Sequence, residues 1–315
     1  MPDLPSVRAD RSTTKCSDLL LVNPDAGGGL GRKVVPKLQR FAARQNWPIE
    51  LVVTESRQHF AQRAREAASA GRERILAVGG DGTFQVLLNA LPSRPQPILG
   101  VIPAGGGNDL AAALGLPDDP IDAAAALLRG QVCDLDAVRV RTAEGREWLY
   151  TGGGGVGLDA EASRYASGTY RNLHGRVRYL LSAVRALADF HAFRTKLTIP
   201  ENDSPLVLEK SLLACVLNTP SYGAGLALAP EGRIDDGQLS LVLLEDLSFL
   251  EILALLPALG WRGELKTARV TRRSITCVRI ETDPPRCFHG DGEILGSTPV
   301  EITVVPRACR VLRAS

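Results

Sequence analysis

The chain has 315 residues, of which 44% are hydrophobic and 23% charged. This composition excludes a disordered or fibrous protein and leaves room for two globular domains of ordinary size. The formal net charge of +2 excludes a global electrostatic field that would gather nucleic acid, so no nucleic-acid partner is expected. Six widely spaced cysteines favour neither a disulfide framework nor a zinc site and indicate a reducing cytoplasm.

The N-terminal and the most apolar segments lack the patterns of membrane-targeting sequences. Residues 1–15 carry charges and prolines, so they are interpreted as a polar leader and not as a signal peptide. The apolar window 239–261 is interrupted by acidic residues and a proline, so it lacks the ~18 consecutive apolar residues that cross a bilayer. We therefore expect no membrane-spanning segment.

The first part of the chain alternates short apolar runs with helix-like stretches, the pattern of β-α-β units with a parallel sheet. Strands are predicted at 19–22, 49–53, 75–78 and 98–102. Helices are predicted at 34–46, 58–70, 83–90, 109–114 and 121–129. We therefore expect an α/β domain over residues 16–136.

After residue 132 the apolar positions recur with period two, which predicts a mainly antiparallel β domain over residues 137–315. Its predicted strands are 137–141, 195–199, 206–216, 239–244, 274–281 and 300–305. Two helices are predicted, at 176–192 and 249–259. The change of pattern places the domain boundary near Asp136.

Three glycine-rich turns each follow a predicted strand of the first domain. They are residues 23–29 (NPDAGGG), 79–83 (GGDGT) and 103–109 (PAGGGND). The carboxyl ends of parallel strands meet at one sheet edge, where ligands bind, and glycine lets backbone amides approach phosphate. The three turns together predict a polyphosphate nucleotide site, although each glycine alone is compatible with a tight turn.

Asp81 and Asp109 lie in two of these turns. Carboxylates repel phosphate unless a cation stands between them, so the two aspartates predict Mg²⁺. Each also stands where a predicted helix begins, so helix N-capping is an alternative that does not exclude metal contact. Neither a Walker motif nor a G-x-G-x-x-G opening of the first helix is present, so the phosphate site is of another type.

These segments resemble the diacylglycerol kinase catalytic family, which includes sphingosine, ceramide and bacterial lipid kinases. The three glycine-rich turns resemble the family's first three motifs, with GGDGT at 79–83 and PAGGGNDLA at 103–111. Later segments agree in order, over about residues 18–310. These segments are 133–135 (CDL), 155–160 (GVGLDA), 229–230 (AP), 235–237 (DDG) and 291–293 (DGE).

The resemblance implies an α/β nucleotide domain, a larger β-sandwich domain and an active site in the cleft between them. The last residues are expected to pack back on the first domain. The implied activity is transfer of phosphate from ATP to a diacylglycerol-like or related lipid alcohol. The positions that match ATP-binding and phosphate-loop residues are Asn23, Gly27, Thr54, Gly79, Gly80, Asp81, Gly82, Thr83, Gly105, Gly106 and Asn108.

The resemblance also assigns roles to acidic residues. Asp81, Asp109 and Asp134 match an acidic network that organises Mg²⁺, and Asp81 and Asp109 thereby belong to the catalytic set. Asp291 matches the general base that takes the proton of the acceptor alcohol. Glu293 is a second choice for that role.

A structural Mg²⁺ or Ca²⁺ site is implied at Asp236 with backbone oxygens of Arg233 and Gln238, and a hairpin turn is the alternative for residues 235–237. His289 is interpreted as a structural residue.

Two positions depart from the family pattern. Gly28 stands where bacterial members often have lysine, and Arg32 or Lys33 is predicted to supply the missing charge. Gly106 stands where the family usually has threonine or serine, so backbone amides would have to compensate for the hydroxyl.

Basic residues recur on a predicted helix and either face anionic headgroups or ATP or form a solvated helix face. They are Arg164, Arg171, His174, Arg176, Arg178 and Arg185. Arg171 is favoured for a site role because it falls near a basic position of the family. We expect a cytoplasmic protein that associates transiently with a peripheral membrane surface. The sequence is compatible with a homodimer and does not require one.

Two other functions compete with a lipid kinase. An NAD kinase shares the GGDGT element and a two-domain plan, and a non-catalytic nucleotide-binding regulator would fit the departures at Gly28 and Gly106. The lipid that accepts the phosphate is not defined by the sequence.

Overall fold

The computed structural model describes residues 18–91, 97–170, 181–182, 184–186, 190–200, 202–223, 225–247, 251 and 269–315. The expected leader at 1–15 lies outside these residues. The predicted helix at 249–259, apart from Glu251, also lies outside the described residues. The same is true of four of the basic residues: Arg171, His174, Arg176 and Arg178.

The first half of the chain is an α/β unit. Its elements are β1 (Asp18–Val22), α1 (Ala26–Arg44), β2 (Ile49–Val53), α2 (Arg57–Ser69), β3 (Arg74–Gly79), α3 (Asp81–Ala90), β4 (Ile98–Pro103), α4 (Asp109–Ala113) and α5 (Pro120–Leu128). The strands are parallel in the order β2-β1-β3-β4, with buried apolar side chains along β1, β3 and β4. The predicted strands and helices of this half are confirmed.

Helix α1 begins earlier than predicted, at Ala26 and not at Val34. Gly27, Gly28 and Gly29 have φ angles of 58°, 68° and 91°, and the regular helix follows them. These left-handed angles strain any residue with a Cβ atom, so glycine at position 28 suits this backbone. The apolar period that predicted the helix starts only after this turn.

The second half is mainly antiparallel, as predicted. Its elements are β5 (Gln131–Thr142), β6 (Glu147–Tyr150), β7 (Gly153–Gly157), α6 (Leu158–Ser167), β8 (Phe193–Thr198), β9 (Leu206–Leu217), β10 (Leu239–Glu245), β11 (Val270–Ile275), β12 (Cys277–Asp283), β13 (Cys287–Gly290), β14 (Glu293–Ser297) and β15 (Val300–Arg313). Helix α6 was not predicted, because the glycines before it carry no apolar periodicity.

Several predicted elements of this half are wrong in extent. Strands β5 and β15 are longer than the predicted 137–141 and 300–305. The single strand predicted at 274–281 is two strands: β11 pairs with β10, whereas β12 pairs with β8 and β15. Alternation of side chains cannot show this change of partner at Thr276. The helix predicted at 176–192 ends before Phe190, which is not helical, and the described residues 181–182 and 184–186 within it are helical.

The two halves share one continuous sheet. Strand β15 pairs with β5 from Val300 to Arg313 and reaches β4, where Val311 pairs with Leu99. Val311 therefore packs in the core of the first half, whereas Val300 packs in the core of the second. The C-terminal strand thus fixes the position of one half against the other. Among the described helices, none is both long enough and apolar enough to cross a bilayer.

The predicted boundary near Asp136 falls inside strand β5. The packing changes there, because Leu135 and Ala137 belong to the first core and Val138 to the second. The division into domains 16–136 and 137–315 stays a prediction.

Candidate active site

A cleft of about 410 Å³ opens where the carboxyl ends of β1, β3 and β4 face the turn between β13 and β14. The three glycine-rich turns of the first half line one side of it, together with the start of α2. Asp291, Gly292 and Glu293 of the second half line the other side. Segments that are far apart in the sequence therefore meet at the edge where a ligand was predicted.

The glycine turns at 79–83 and 103–109 pack backbone against backbone. A Cβ atom at Gly105 would lie 2.5 Å from the Cα of Gly80, and one at Gly27 would lie 2.3 Å from the carbonyl oxygen of Ala104. The side chain of Asn108 holds this arrangement, because its Oδ1 accepts the amide of Gly105 at 2.9 Å. Glycine is therefore required at these positions because neighbouring backbone lies too close for a Cβ atom, and not only because the chain turns there.

Two polar side chains at the floor of the cleft bind the protein itself. Asn23 donates from Nδ2 to Thr83 Oγ1 at 3.0 Å, which ties the first turn to the second. The buried Thr54 donates its hydroxyl to the carbonyl of Val22 at 2.9 Å. Both residues line the cleft.

Asp81 does not cap its own helix, so N-capping of α3 by this residue is excluded. Its carboxylate instead accepts the amides of Asp109 at 3.2 Å and Leu110 at 3.0 Å, the first two residues of α4. Burial and the charge of Asp109 raise the pKa of Asp81 to about 6 despite these bonds. Asp81 therefore carries a negative charge that the surrounding protein does not fully compensate.

Asp109 also makes no cap on its own helix; it lies behind the wall of the cleft and binds the second half of the chain. Its Oδ1 accepts the hydroxyl of Ser221 at 2.9 Å and the amide of Gly225 at 3.0 Å. The loop that contains these two residues thus contacts the acid whose backbone amide binds Asp81.

Asp291 stands at the turn between β13 and β14 with a left-handed φ of 49°. Its carboxylate accepts three consecutive amides, those of Thr151 at 2.9 Å, Gly152 at 2.9 Å and Gly153 at 3.2 Å. Burial and the charge of Asp81 raise the pKa of Asp291 to about 7, although the three amides act to lower it. The two aspartates therefore interact electrostatically across the cleft.

Helix α3 links the two sides of the cleft directly. Gln85 donates from Nε2 to the carbonyl of Gly290 at 3.2 Å, one residue before Asp291. Asn89 donates to the carbonyl of Leu149 at 2.7 Å and accepts its amide at 2.9 Å. The helix that begins with Asp81 is thus bonded to both segments that hold Asp291.

His289 belongs to a buried polar cluster behind Asp291. Its Nε2 lies 2.9 Å from Asp159 Oδ2 and 2.6 Å from the Tyr222 hydroxyl, and the residue is 1% exposed. Its ring therefore packs inside the second half and does not face the cleft.

The structure places the remaining predicted metal residues outside the cleft. Asp134 is exposed on β5, 3.7 Å from the guanidinium of Arg307. Asp236 is exposed in a turn, where its Oδ1 accepts the amide of Gln238 at 3.0 Å. The Arg233 side chain pairs with Asp235. In the described ranges no three His, Cys, Asp or Glu side chains cluster as metal ligands, so a metal at Asp236 stays a prediction.

Among the described residues, the basic side chain at the cleft is not one of the two predicted to supply the missing charge. Neither Arg32 nor Lys33 lines it, whereas Arg57 at the start of α2 does. Arg164 and Arg185 both lie over the ring of Tyr165, at 5.1 and 6.0 Å from its centroid.

Sequence reasoning missed Arg57, Gln85, Asn89 and the amides of 151–153. Lone polar residues on helices and glycines in a strand give no signal of a distant partner, although Gly152 and Gly153 belong to the glycine cluster visible in the sequence.

Two family models match this chain. The diacylglycerol kinase catalytic domain matches residues 18–140, and the YegS C-terminal NAD kinase beta sandwich-like domain matches residues 154–313. A diacylglycerol kinase of Mycobacterium tuberculosis is 30% identical to this protein, over 93% of this chain and 94% of that protein. A Serratia proteamaculans protein named "Probable lipid kinase YegS-like" is 27% identical over 93% of both.

Solved structures share the fold. A diacylglycerol kinase from Bacillus anthracis superposes with a TM-score of 0.67 at 23% identity, over 96% of this chain and 98% of that chain. Yeast NADH kinase superposes with a TM-score of 0.51 at 9% identity, over 96% of this chain and 84% of that chain.

The two matched models account for both halves of the fold, and together they define a two-domain kinase with an α/β domain and a β-sandwich domain. The chain belongs to the diacylglycerol kinase family of lipid kinases. The resemblance found in its motifs is thereby confirmed.

Proposed function

We propose that this protein transfers the γ-phosphate of ATP to the hydroxyl of a diacylglycerol-like or related lipid alcohol. The observation that carries the proposal is that Asp81 and Asp291, from opposite halves of the chain, face each other in one cleft with the three glycine turns. The names of the relatives, diacylglycerol kinase and YegS-like lipid kinase, support a lipid as the acceptor.

The glycine turns are suited to hold the polyphosphate. The backbone of Gly80 lies against that of Gly105, and the backbone of Gly27 against that of Ala104, too closely for side chains, so main-chain groups form the surface there. Amides in such turns bind phosphate oxygens without a lysine. Gly106 lines the same cleft, which is consistent with backbone compensation for a missing hydroxyl.

The acidic side chains fit a divalent cation. Asp81 lines the cleft and its pKa is raised to about 6, so its charge is stabilised when a cation replaces the lost hydration. Asp81 would hold Mg²⁺, with Asp109 fixing Asp81 through its backbone amide at 3.2 Å. When bound, Mg²⁺ would neutralise part of the negative charge of the phosphates.

We assign the role of general base to Asp291. A carboxylate with a pKa of about 7 accepts a proton more readily near neutral pH than an ordinary aspartate does. The amides of residues 151–153 hold it in one orientation. In the transfer, the alcohol oxygen bonds to the γ-phosphorus as the bond to the ADP oxygen breaks, and Asp291 takes the alcohol proton.

The test is transfer of labelled γ-phosphate from ATP to lipid alcohols in mixed micelles: a diacylglycerol, a sphingoid base and phosphatidylglycerol. We expect one class to be labelled, Asp81→Ala to be inactive, and Asp291→Asn to lose turnover at least 100-fold while it still binds nucleotide. Asp122→Asn, an exposed site on α5, is the matched control.

Three outcomes would contradict the proposal. Full turnover by Asp291→Asn would exclude that residue as the base. Phosphorylation of NAD in place of every lipid would select the NAD kinase alternative, and tight nucleotide binding without any transfer would select a regulator.

A further inference from the structure

The mouth of the cleft is crossed by an ion pair that joins the two halves of the chain. Arg57, the first residue of α2, places Nη1 2.8 Å from Oε2 of Glu293, the first residue of β14. Glu293 follows Asp291 by two residues and is close enough to Gly82 that a Cβ atom there would lie 3.4 Å from its Oε1. The pair therefore lies at the entrance, beside both Asp291 and the GGDGT turn.

The charges that line the cleft are unequal. Five carboxylates line it, those of Asp25, Glu55, Asp81, Asp291 and Glu293, whereas Arg57 is the sole Lys or Arg among the described lining residues. A bound nucleoside triphosphate would add further negative charge to this surface. Arg57 is therefore the side chain that phosphate oxygens would attract most strongly.

Glu293 does not hold Arg57 firmly. The side chains are 53% and 43% exposed, and water solvates the separated partners of such a pair almost as well as they solvate each other. A guanidinium binds phosphate through two parallel hydrogen bonds, and a polyphosphate carries more charge than one carboxylate. The polyphosphate is thus the stronger partner.

We propose that Arg57 is a phosphate-binding residue of this cleft and that Glu293 occupies it until a nucleotide displaces the carboxylate. The inference rests on the proposed function, because it assumes that the cleft takes a polyphosphate nucleotide. It assigns to Arg57 the cationic role that neither Arg32 nor Lys33 is placed to fill. It also gives Glu293 a role other than that of a base: removal of its charge releases Arg57.

The test measures equilibrium binding of Mg-AMP-PNP, a non-hydrolysable ATP analogue, and of AMP. We expect Arg57→Gln to weaken AMP-PNP binding about tenfold and AMP binding less, because AMP has one phosphate. Arg57→Lys should recover part of the loss, since it restores the charge without the fork. Arg63→Gln is the matched control, because the half-buried Arg63 lies on the same helix, pairs with Glu66 and Glu50, and does not line the cleft.

A double-mutant cycle separates the exchange from a general effect of charge. Glu293→Gln should tighten AMP-PNP binding several-fold when Arg57 is present, and clearly less in the Arg57→Gln background, because the released guanidinium is then missing. Thermal unfolding of each variant checks that the exposed substitutions leave the fold intact.

Equal tightening by Glu293→Gln in both backgrounds would overturn the exchange, and unchanged AMP-PNP binding by Arg57→Gln would overturn the phosphate contact. In either case wild-type binding leaves the proposed function standing. Failure of the wild-type protein to bind AMP-PNP would instead overturn the proposed function, and this inference with it.

Discussion

Asp291 is subject to two opposing influences at the scale of a single residue. Three amides stabilise its charged form, whereas burial and Asp81 destabilise it, and the second influence is larger because the pKa rises to about 7. A cation beside Asp81 would remove much of the repulsion. The acidity of Asp291 is therefore expected to depend on occupancy of the cleft.

This balance predicts a pH dependence of stability for the metal-free protein. Folding raises the pKa of Asp291 from 3.8 to about 7, so its protonated form is favoured in the folded state. The resulting stabilisation is complete below the unfolded pKa and is lost as the pH rises towards 7. The Asp291→Asn variant has no titrating carboxyl group at this position. The free energy of unfolding of the variant, relative to that of the wild type, should therefore increase between pH 5 and 8.

Urea denaturation of both proteins in EDTA at the two pH values measures this difference. A constant difference between wild type and variant would show that the pKa of Asp291 is not raised. Addition of Mg²⁺ at pH 8 should reduce the advantage of the variant, since the cation stabilises the charged carboxylate.

Much of the site could be predicted from residue types in sequence. The GGDGT turn and its neighbour were visible because each follows a predicted strand and combines several glycines with an aspartate. That Gly105 packs on Gly80 and that amides of residues 151–153 bind Asp291 could not be predicted, because both depend on which distant segments meet.

At the scale of elements, α3 determines how the two sides of the cleft are aligned. Asn89 forms two hydrogen bonds with the backbone of Leu149, on the strand that runs directly into the amides holding Asp291. Asp81 stands at the other end of the same helix. A rigid helix therefore connects the predicted metal residue with the support of the predicted base.

We expect Asn89→Ala to lower kcat about tenfold and to change nucleotide affinity less than twofold, because the base loses alignment while the glycine turns stay intact. Initial rates with the lipid class that is labelled in the mixed-micelle assay, and AMP-PNP binding, measure the two effects. Asn202→Ala, an exposed position, serves as control. Equal losses in affinity and kcat would indicate general unfolding and not misalignment.

Elements with a regular apolar period were predicted well, and the others were not. Strands β1, β3 and β4 were found because they are short continuous apolar runs, buried on both faces. The glycine start of α1 and the glycine strand before α6 were missed, since neither has periodic side chains. The division of 274–281 into β11 and β12 follows from pairing partners, which the local sequence does not specify.

At the scale of the whole molecule, β15 packs in the cores of both halves. Val311 is fully buried and pairs with both Leu99 of β4 and Cys133 of β5. We expect urea unfolding of the wild type to occur in a single transition by circular dichroism and by tryptophan fluorescence, because neither core is complete alone.

Val311→Ala should lower the free energy of unfolding by about 2 kcal/mol, as loss of buried methyl groups does in other cores. Val132→Ala, an exposed position on the paired strand, should change it by less than about 0.5 kcal/mol. Two separated transitions in the wild type would contradict the shared sheet as a source of cooperativity.

The position of β15 also has a consequence for biosynthesis. Synthesis proceeds from the N-terminus, so strands β1 to β4 leave the ribosome long before the segment that covers the outer edge of β4. During that interval β4 exposes unpaired amides and carbonyls, the kind of edge that recruits foreign strands. Nascent chains stalled before residue 300 should therefore depend on chaperones more strongly than the finished protein does.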